Sequence, residues 1–194
     1  MAVSSQARLL HLLLSLAGGS CSRGLLGRRL GETDARVRSL LAMLKEQGLV
    51  MSSRKGHMLT PEGKTTVDTL GIVGPVGLDA GELTVGPRDA AILVRGVADR
   101  VDKGIEQRDA ALIAGGMGAT TLVMSESGLG LPFPGTIPTS VAASLLELLP
   151  ARGSDVIIVG TAAHGWSAKR ACVAAALTLA PADIVLRPRQ GKRI

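Results

Sequence analysis

The chain has 194 residues, of which 46% are hydrophobic and 20% are charged, so it can bury a substantial core and is not disordered as a whole. The core must be aliphatic, because the chain holds one Phe, one Trp and no Tyr. This composition excludes the aromatic stacking platform with which proteins usually hold single-stranded nucleic acid. Duplex DNA stays compatible, since it requires only basic side chains and a helix that fits the major groove.

The net charge of +6 is unevenly distributed along the chain. Residues 1–70 hold ten Lys/Arg and five Asp/Glu, whereas residues 71–186 hold eight and eleven. The last eight residues, 187–194, add four basic residues and no acidic ones. This distribution is typical of a phosphate-binding head on a nearly neutral regulatory body, although a generally basic soluble protein is the alternative.

The first predicted helix spans residues 5–17, has a broad apolar face of leucines at positions 9, 10, 13, 14 and 16, and ends at two glycines, as helices commonly do. The same segment, followed by Cys21, resembles a short lipoprotein signal. His11 interrupts its apolar run, and Gly18 stands where such a signal has a large aliphatic residue. We therefore expect a cytoplasmic protein that does not enter a membrane, with its two cysteines reduced.

A second helix is predicted to end before Gly31, and Thr33 is predicted to cap a third helix. This third helix carries the strongest indication of function. Four apolar residues fall at i, i+3, i+4 and i+7 and predict a buried face: Val37, Leu40, Leu41 and Leu44. The opposite face holds the residues that we predict to bind DNA: Thr33, Asp34, Arg36, Arg38 and Ser39. They cluster where a recognition helix contacts base edges, and arginine suits guanine O6 and N7. The alternative is an ordinary solvated helix face.

A short hairpin follows, with strands predicted at residues 49–51 and 57–59. Its tip holds Arg54 and Lys55, which we predict to contact phosphates or the minor groove, followed by Gly56, which suits the turn. Pro61 then suits the first turn of a fourth helix.

The front segment resembles winged-helix regulators of the MarR and ArsR type, with the match concentrated in residues 37–70. The resemblance implies a winged helix-turn-helix domain over residues 1–71. Since some winged helices bind proteins instead of DNA, a protein-docking module is an alternative function.

The back half is predicted to form a second domain. Residues 72–87 are rich in Gly and Pro and predict a linker. Strands alternate with helices over residues 88–186, which predicts a small α+β domain with a mixed sheet and a last strand at 184–186. The basic tail, 187–194, is expected to add nonspecific affinity for DNA.

The stretch from Gly104 to Leu122, and residues 105–122 above all, is similar to the C-terminal domain of an archaeal family of winged-helix transcriptional regulators. That domain has no assigned biochemical role. The resemblance covers nearly the whole chain and implies a ferredoxin-like or GAD-like sheet. It supplies no catalytic residues.

Two groups of residues are candidates for binding an effector. The first lies in the glycine-rich segment 160–167 and comprises Gly160, His164 and Ser167. Its spacing imitates a phosphate-binding loop, but Trp166 stands where a nucleotide hydrolase has its lysine. A plain turn with Trp166 at the edge of the core is therefore favoured. Lys169 and Arg170 in the next turn could still meet a carboxylate or phosphate.

The second group comprises Arg108, Asp109, Gly116, Thr120 and Thr121. Arg108 and Asp109 are neighbours on a helix, so we expect them to point apart and to be satisfied by a ligand, a partner or water.

The sequence thus predicts a cytoplasmic transcriptional regulator that binds double-stranded DNA as a homodimer and responds to a small anionic effector. No catalytic residue, metal site or cofactor is expected. The alternatives are a small-molecule or nucleotide-binding enzyme in the back domain and a protein-docking module.

Overall fold

The computed structural model describes residues 3–180, and its architecture is mixed α+β, as the sequence predicts. The helices are α1 (Val3–Ser15), α2 (Arg23–Leu30), α3 (Asp34–Glu46), α4 (Pro61–Leu70), α5 (Ile105–Ile113), α6 (Thr139–Leu148) and α7 (Gly165–Leu177). The strands are β1 (Val50–Ser53), β2 (Gly56–Leu59), β3 (Ile72–Leu78), β4 (Arg88–Val94), β5 (Gly118–Ser125), β6 (Gly128–Gly130) and β7 (Val156–Ala162). The predicted strand at 184–186 and the basic tail lie outside the described residues.

Helix α1 is the central helix of the molecule. Its leucines at positions 9, 10, 12, 13 and 14 are all buried, together with His11. One side of α1 packs against α2 and α3, and the other side packs against α7 of the back half. A helix that is apolar on every side belongs in an interior. The single broad apolar face expected from the sequence is therefore only part of what α1 buries.

The back half is built on a five-stranded sheet with the order β3-β4-β7-β5-β6, and every neighbouring pair is antiparallel. The prediction that this sheet mixes parallel and antiparallel pairs is therefore wrong. Strands β4 and β5 are joined through α5 and run parallel, but β7 lies between them. This is a split β-α-β unit of the kind that ferredoxin-like sheets contain. Alternation of strands and helices does not reveal such an insertion.

Residues 72–87 differ from the predicted linker. Strand β3 occupies Ile72–Leu78 and pairs with β4 along the edge of the sheet, and a short 3-10 helix follows at Gly81–Leu83. The register shifts between Val73 and Val76, around the Gly-Pro pair. Gly and Pro are tolerated in a strand when it lies at an edge. The chain therefore passes from α4 directly into the sheet.

The sheet is covered on both faces. Helix α6 covers one face through Leu145, and both Leu145 and Leu149, which directly follows the helix, pack with Leu122. Helix α7 covers the other face and approaches β7 closely, because a Cβ atom on Gly160 would lie 2.7 Å from the backbone nitrogen of Cys172. The core on this face continues into the leucines of α1. The two halves of the chain thus share one apolar core.

Burial of His11 in this shared core makes stability depend on pH. His11 is 2% exposed, and its pKa is lowered to about 3, first by burial and then by the positive charges of Lys169 and Arg170. In the unfolded chain the imidazole takes up a proton near pH 6.5. Between these values the unfolded state binds more protons, so the free energy of unfolding falls as the pH falls, by about 1.4 kcal/mol per pH unit.

We expect wild-type protein to lose about 2–3 kcal/mol more than the His11→Gln variant when the pH is lowered from 7 to 4.5. Glutamine does not titrate, so carboxyl groups that also destabilise the fold in acid affect both proteins equally. Urea unfolding at the two pH values provides the measurement. Equal losses for the two proteins would show that His11 does not carry this pH dependence.

Candidate nucleic-acid interface

Helices α2 and α3 are joined by a three-residue turn whose geometry is fixed at both ends. Gly31 adopts a left-handed conformation with φ +64°, and its N–H closes α2 by donating to the carbonyl of Gly27. The hydroxyl of Thr33 accepts a hydrogen bond from the backbone N–H of Arg36 at 3.3 Å and caps α3. Such a cap typically stabilises a helix by about 1 kcal/mol. The start of α3 is therefore well defined.

Helix α3 presents two arginines to solvent. Its apolar face is buried through Val37, Leu40, Leu41 and Leu44. Arg36 and Arg38 lie on the opposite side and are exposed, with the side chain of Arg38 67% accessible. The hydroxyl of Ser39 is also outside, where it donates to the carbonyl of Ala35 at 3.1 Å. The leucine spacing correctly predicted this orientation.

Asp34 organises the arginines around it. Its carboxylate accepts a hydrogen bond from Arg23 of α2 and another from Arg38 Nη2 at 2.8 Å. The hydrogen bond from Arg23 is the main reason that the pKa of Asp34 lies below its usual value. The structure thus gives Asp34 the role of positioning two cations, and direct contact of Asp34 or Thr33 with DNA stays a prediction.

The hairpin tip is held in place by the loop before α2. Cys21 and His57 exchange backbone hydrogen bonds of 2.8 and 2.9 Å, and Ser20 Oγ donates to the carbonyl of Lys55 at 2.9 Å. Gly56 has φ +125°, and a Cβ atom there would lie 2.6 Å from the carbonyl oxygen of Cys21. The exposed tip residues Arg54 and Lys55 are consequently attached to a fixed backbone.

The basic surface extends between the hairpin and the helices. The pKa of His57 is lowered first by partial burial and then by the charges of Lys45 and Arg23, so these two cations lie close to the hairpin. We define the basic surface by six residues: Arg23, Arg36, Arg38, Lys45, Arg54 and Lys55. Arg23 and Lys45 were not predicted from the sequence. The position of Arg23 depends on the fold, because the start of α2 is distant from the hairpin in the chain.

A partly buried ion-pair network connects the turn before α3 to the back half. Glu32 Oε1 accepts a hydrogen bond from Arg8 Nε at 2.6 Å and lies 3.3 Å from Arg170 Nη1 of α7. Arg170 is 7% exposed, and its Nε donates to the carbonyl of Ala114 at 3.0 Å. Its guanidinium also lies 5.0 Å from the centre of the Trp166 ring. Arg170 is therefore an internal structural residue, and it is not free to meet a ligand.

The glycine-rich segment 160–167 is a contact between the two halves. A Cβ atom on Gly31 would overlap the indole of Trp166, so this ring lies directly against the end of α2. Gly160 is buried by close packing on α7, and Ser167 is buried with its hydroxyl donating to the carbonyl of His164 at 2.9 Å. Gly160 and Ser167 are thus used for packing and for a hydrogen bond within the protein, whereas His164 is exposed and its ring stacks on Trp166 with 5.3 Å between the ring centres. Binding of an effector at this segment stays a prediction.

The back half of the chain matches a known protein family. Residues 85–179 match a family described as Domain of unknown function (DUF4443). The back half of the chain contains a DUF4443 domain. It comprises β4 to β7 with α5 to α7, whereas the edge strand β3 lies before it.

The fold is also found in a solved structure. The chain is similar to "Hypothetical protein PH0730 from Pyrococcus horikoshii OT3", with a TM-score of 0.75, 23% sequence identity and 92% of each chain covered. At this identity the similarity concerns the fold alone. No curated protein matches the chain.

The second predicted effector group is only partly brought together in the DUF4443 domain. Arg108, Thr120 and Thr121 line one cavity of about 360 Å³, whereas Asp109 lines a neighbouring cavity of about 570 Å³. Gly116 lies elsewhere, where a Cβ atom would be 2.6 Å from the Cβ of Ala171. Its role is close packing of the turn against α7.

The expectation that Arg108 and Asp109 point apart is wrong. Arg108 Nη2 lies 3.1 Å from Asp109 Oδ1, and both side chains are more than half exposed. The long arginine side chain folds back along the helix surface to reach its neighbour. An exposed pair of this kind is weak, so Arg108 can exchange its partner at little cost.

Within residues 3–180, the side chains that could ligate a metal are scattered, and the cysteine thiols are buried. No group of three or more His, Cys, Asp or Glu in this range is placed to hold a metal ion. Cys21 and Cys172 are both free and buried, and burial raises the pKa of the Cys172 thiol. None of the helices in this range combines the length and the apolar character that crossing a membrane requires.

Proposed function

We propose that the protein is a transcriptional regulator that binds duplex DNA through α3 and the β1–β2 hairpin. The observation that carries the proposal is the placement of Arg36 and Arg38. Both are exposed near the start of a helix whose other face is anchored by leucines and whose first turn is capped. A recognition helix contacts base edges with residues at this end.

The order α1, α2, α3, β1, β2 and α4 supports a winged helix-turn-helix, with the hairpin as the wing. The backbone pairing of Cys21 with His57 adds a third, very short strand to the wing. In this arrangement α3 enters the major groove, while Arg54 and Lys55 at the tip contact phosphates or the minor groove.

The ion pair between Arg38 and Asp34 is compatible with a role in reading bases. Both side chains are more than half exposed, and such pairs contribute little to stability. Arg38 can therefore leave the carboxylate for the O6 and N7 atoms of guanine. Arg23 remains bonded to Asp34 and keeps the carboxylate charge compensated near the phosphates.

The DUF4443 domain is proposed to supply dimer contacts and to set the orientation of α3. One winged helix covers a single half-site, and a dimer gains specificity by joining two. Exposed apolar residues at the end of α5, Leu112 and Ile113, support a second copy as the partner of this helix. Light scattering is expected to give twice the chain mass of 19.9 kDa, and a monomer at micromolar concentration would contradict this part of the proposal.

The proposed function is tested by selecting duplexes from a random-sequence pool with the native protein. We expect enrichment of a common sequence, arranged as two half-sites about 10 base pairs apart or a multiple of that spacing. A pool that stays unenriched would contradict DNA reading. Capture of a protein that survives nuclease treatment, together with an unenriched pool, would favour a protein-docking module instead.

A further inference from the structure

We propose that the cavity at the start of α5 binds a small organic anion, namely a carboxylate or phosphate monoester that carries an apolar group. Nothing in the family description assigns a ligand to the DUF4443 domain. Binding itself does not depend on the proposed function. The role of the ligand as an effector of DNA binding does rest on it.

The first observation is the open N-terminus of α5. This helix has nine residues, and its first turn follows Gly104, which is left-handed with φ +74° and offers no capping side chain. The first N–H groups of a helix have no partner within the helix, and the helix dipole makes this end attractive to anions. Gly104 and Ile105 both line the cavity.

The second observation is an unpartnered hydroxyl that faces the same place. Thr121 is 4% exposed, and its Oγ1 has no hydrogen-bond partner among residues 3–180. A Cβ atom on Gly104 would lie 3.1 Å from this oxygen, so the hydroxyl lies beside the start of α5. Buried hydroxyl groups are almost always hydrogen-bonded. Thr121 thus provides a hydrogen-bond donor at the point to which the helix end attracts negative charge.

The charges around α5 are sorted in the direction that an anion requires. The cavity is lined by Lys103 and Arg108 and by no acidic residue. The acids of this region, Asp102, Glu106 and Asp109, line the neighbouring cavity, which shares Lys103, Gly104 and Ile105 with this one. Because the Arg108–Asp109 pair is exposed and weak, Arg108 can turn to a ligand anion.

The remaining wall of the cavity is apolar, so it suits the apolar group of the proposed ligand. It is formed by Ala119 of β5 and by Leu131 and Phe133, whose ring-bearing side chain is 47% exposed. Strand β6 pairs only with residues 123–125 of β5, so the cavity lies along an edge of the sheet that no described strand covers. About 360 Å³ fits a small ligand with one ring or a short alkyl chain.

Isothermal titration of the full chain with phenyl phosphate and benzoate tests the proposal, with inorganic phosphate and benzyl alcohol as probes that lack one half of the ligand. We expect saturable binding of phenyl phosphate or benzoate, weaker binding of inorganic phosphate and none of benzyl alcohol. The Thr121→Val variant keeps the side-chain shape and removes the donor. It is expected to raise Kd about tenfold without lowering Tm, since valine leaves no unpaired buried hydroxyl.

A pair of charge variants locates the site. Lys103→Gln is expected to weaken binding of phenyl phosphate, whereas Lys64→Gln, which changes the net charge equally on exposed α4, is expected to leave it unchanged. The proposal is overturned if none of the anions binds saturably at millimolar concentration. It is also overturned if Thr121→Val and Lys103→Gln bind like the wild type, because the anion then lies elsewhere.

The effector role is tested separately by repeating the DNA titration with saturating phenyl phosphate. A change in affinity for the selected duplex is expected, and unchanged affinity would remove the effector role. The titration of the cavity contains no DNA, so its outcome is independent of whether the basic surface binds a duplex.

Discussion

Replacing Glu32 with alanine is expected to lower the free energy of unfolding by about 3–5 kcal/mol, because it leaves a buried guanidinium without its carboxylate. Arg170 is 7% exposed, and its pKa is already lowered, chiefly by burial. The same change also frees Arg8 on α1. Urea unfolding at pH 7 measures the effect.

Two variants make this prediction specific. Glu46→Ala removes an exposed carboxylate from the same half of the chain and is expected to change stability by less than about 0.5 kcal/mol. Adding Arg170→Met to Glu32→Ala removes the stranded charge and is expected to recover part of the loss, since apolar replacements of buried ion pairs are often tolerated. A loss below 1 kcal/mol for Glu32→Ala would show that the network does not hold the two halves together.

Replacing Arg36 and Arg38 together with alanine is expected to weaken binding to the selected duplex by about 2–6 kcal/mol, which is thirtyfold or more. Each arginine is expected to contribute one bidentate contact with guanine. The loss should be much smaller for an unrelated duplex, because phosphate contacts by the hairpin remain. Fluorescence anisotropy with both duplexes gives the two affinities.

The matched control is Arg88→Ala with Arg152→Ala, which removes two exposed positive charges from the back half. We expect this control to change the affinity for both duplexes only slightly. An equal loss in the control and in the Arg36/Arg38 variant would mean that net charge, and not the position of α3, determines binding.

Local sequence signals were sufficient for the front half. The leucine spacing placed the buried face of α3, Thr33 was correctly predicted as its cap, and the glycine at 56 marked the hairpin turn. Each of these signals acts between residues that are close in sequence, where the physical rules are strong. The exposure of Arg36 and Arg38 followed directly from them.

The features that could not be predicted depend on contacts between residues that are distant in the sequence. Arg170 looks like a solvated cation in the sequence, and only the approach of Glu32, 138 residues away, explains its burial. The glycine at 160 imitates a phosphate loop, yet it serves the contact of β7 with α7. Likewise, the Gly-Pro segment reads as a linker until an edge of the sheet is available to pair with β3.

The candidate cavity could be predicted only in part, because some of its lining residues are distant in sequence. Arg108, Thr120 and Thr121 were grouped correctly because α5 and β5 are consecutive elements of the chain. Leu131 and Phe133 were missed, since the sequence gives no sign that the segment after β6 returns to the start of α5. Lys103 was missed although it lies two residues before α5.

The claim that the basic surface binds duplex DNA is tested most directly by the salt dependence of affinity for the selected duplex. With phosphate contacts from Arg54 and Lys55, a plot of log K against log salt is expected to fall steeply. Replacing both residues with alanine should make the slope shallower by about 2, since each contact contributes about 0.9. A slope near zero for the native protein, or one that these two replacements leave unchanged, would contradict the account.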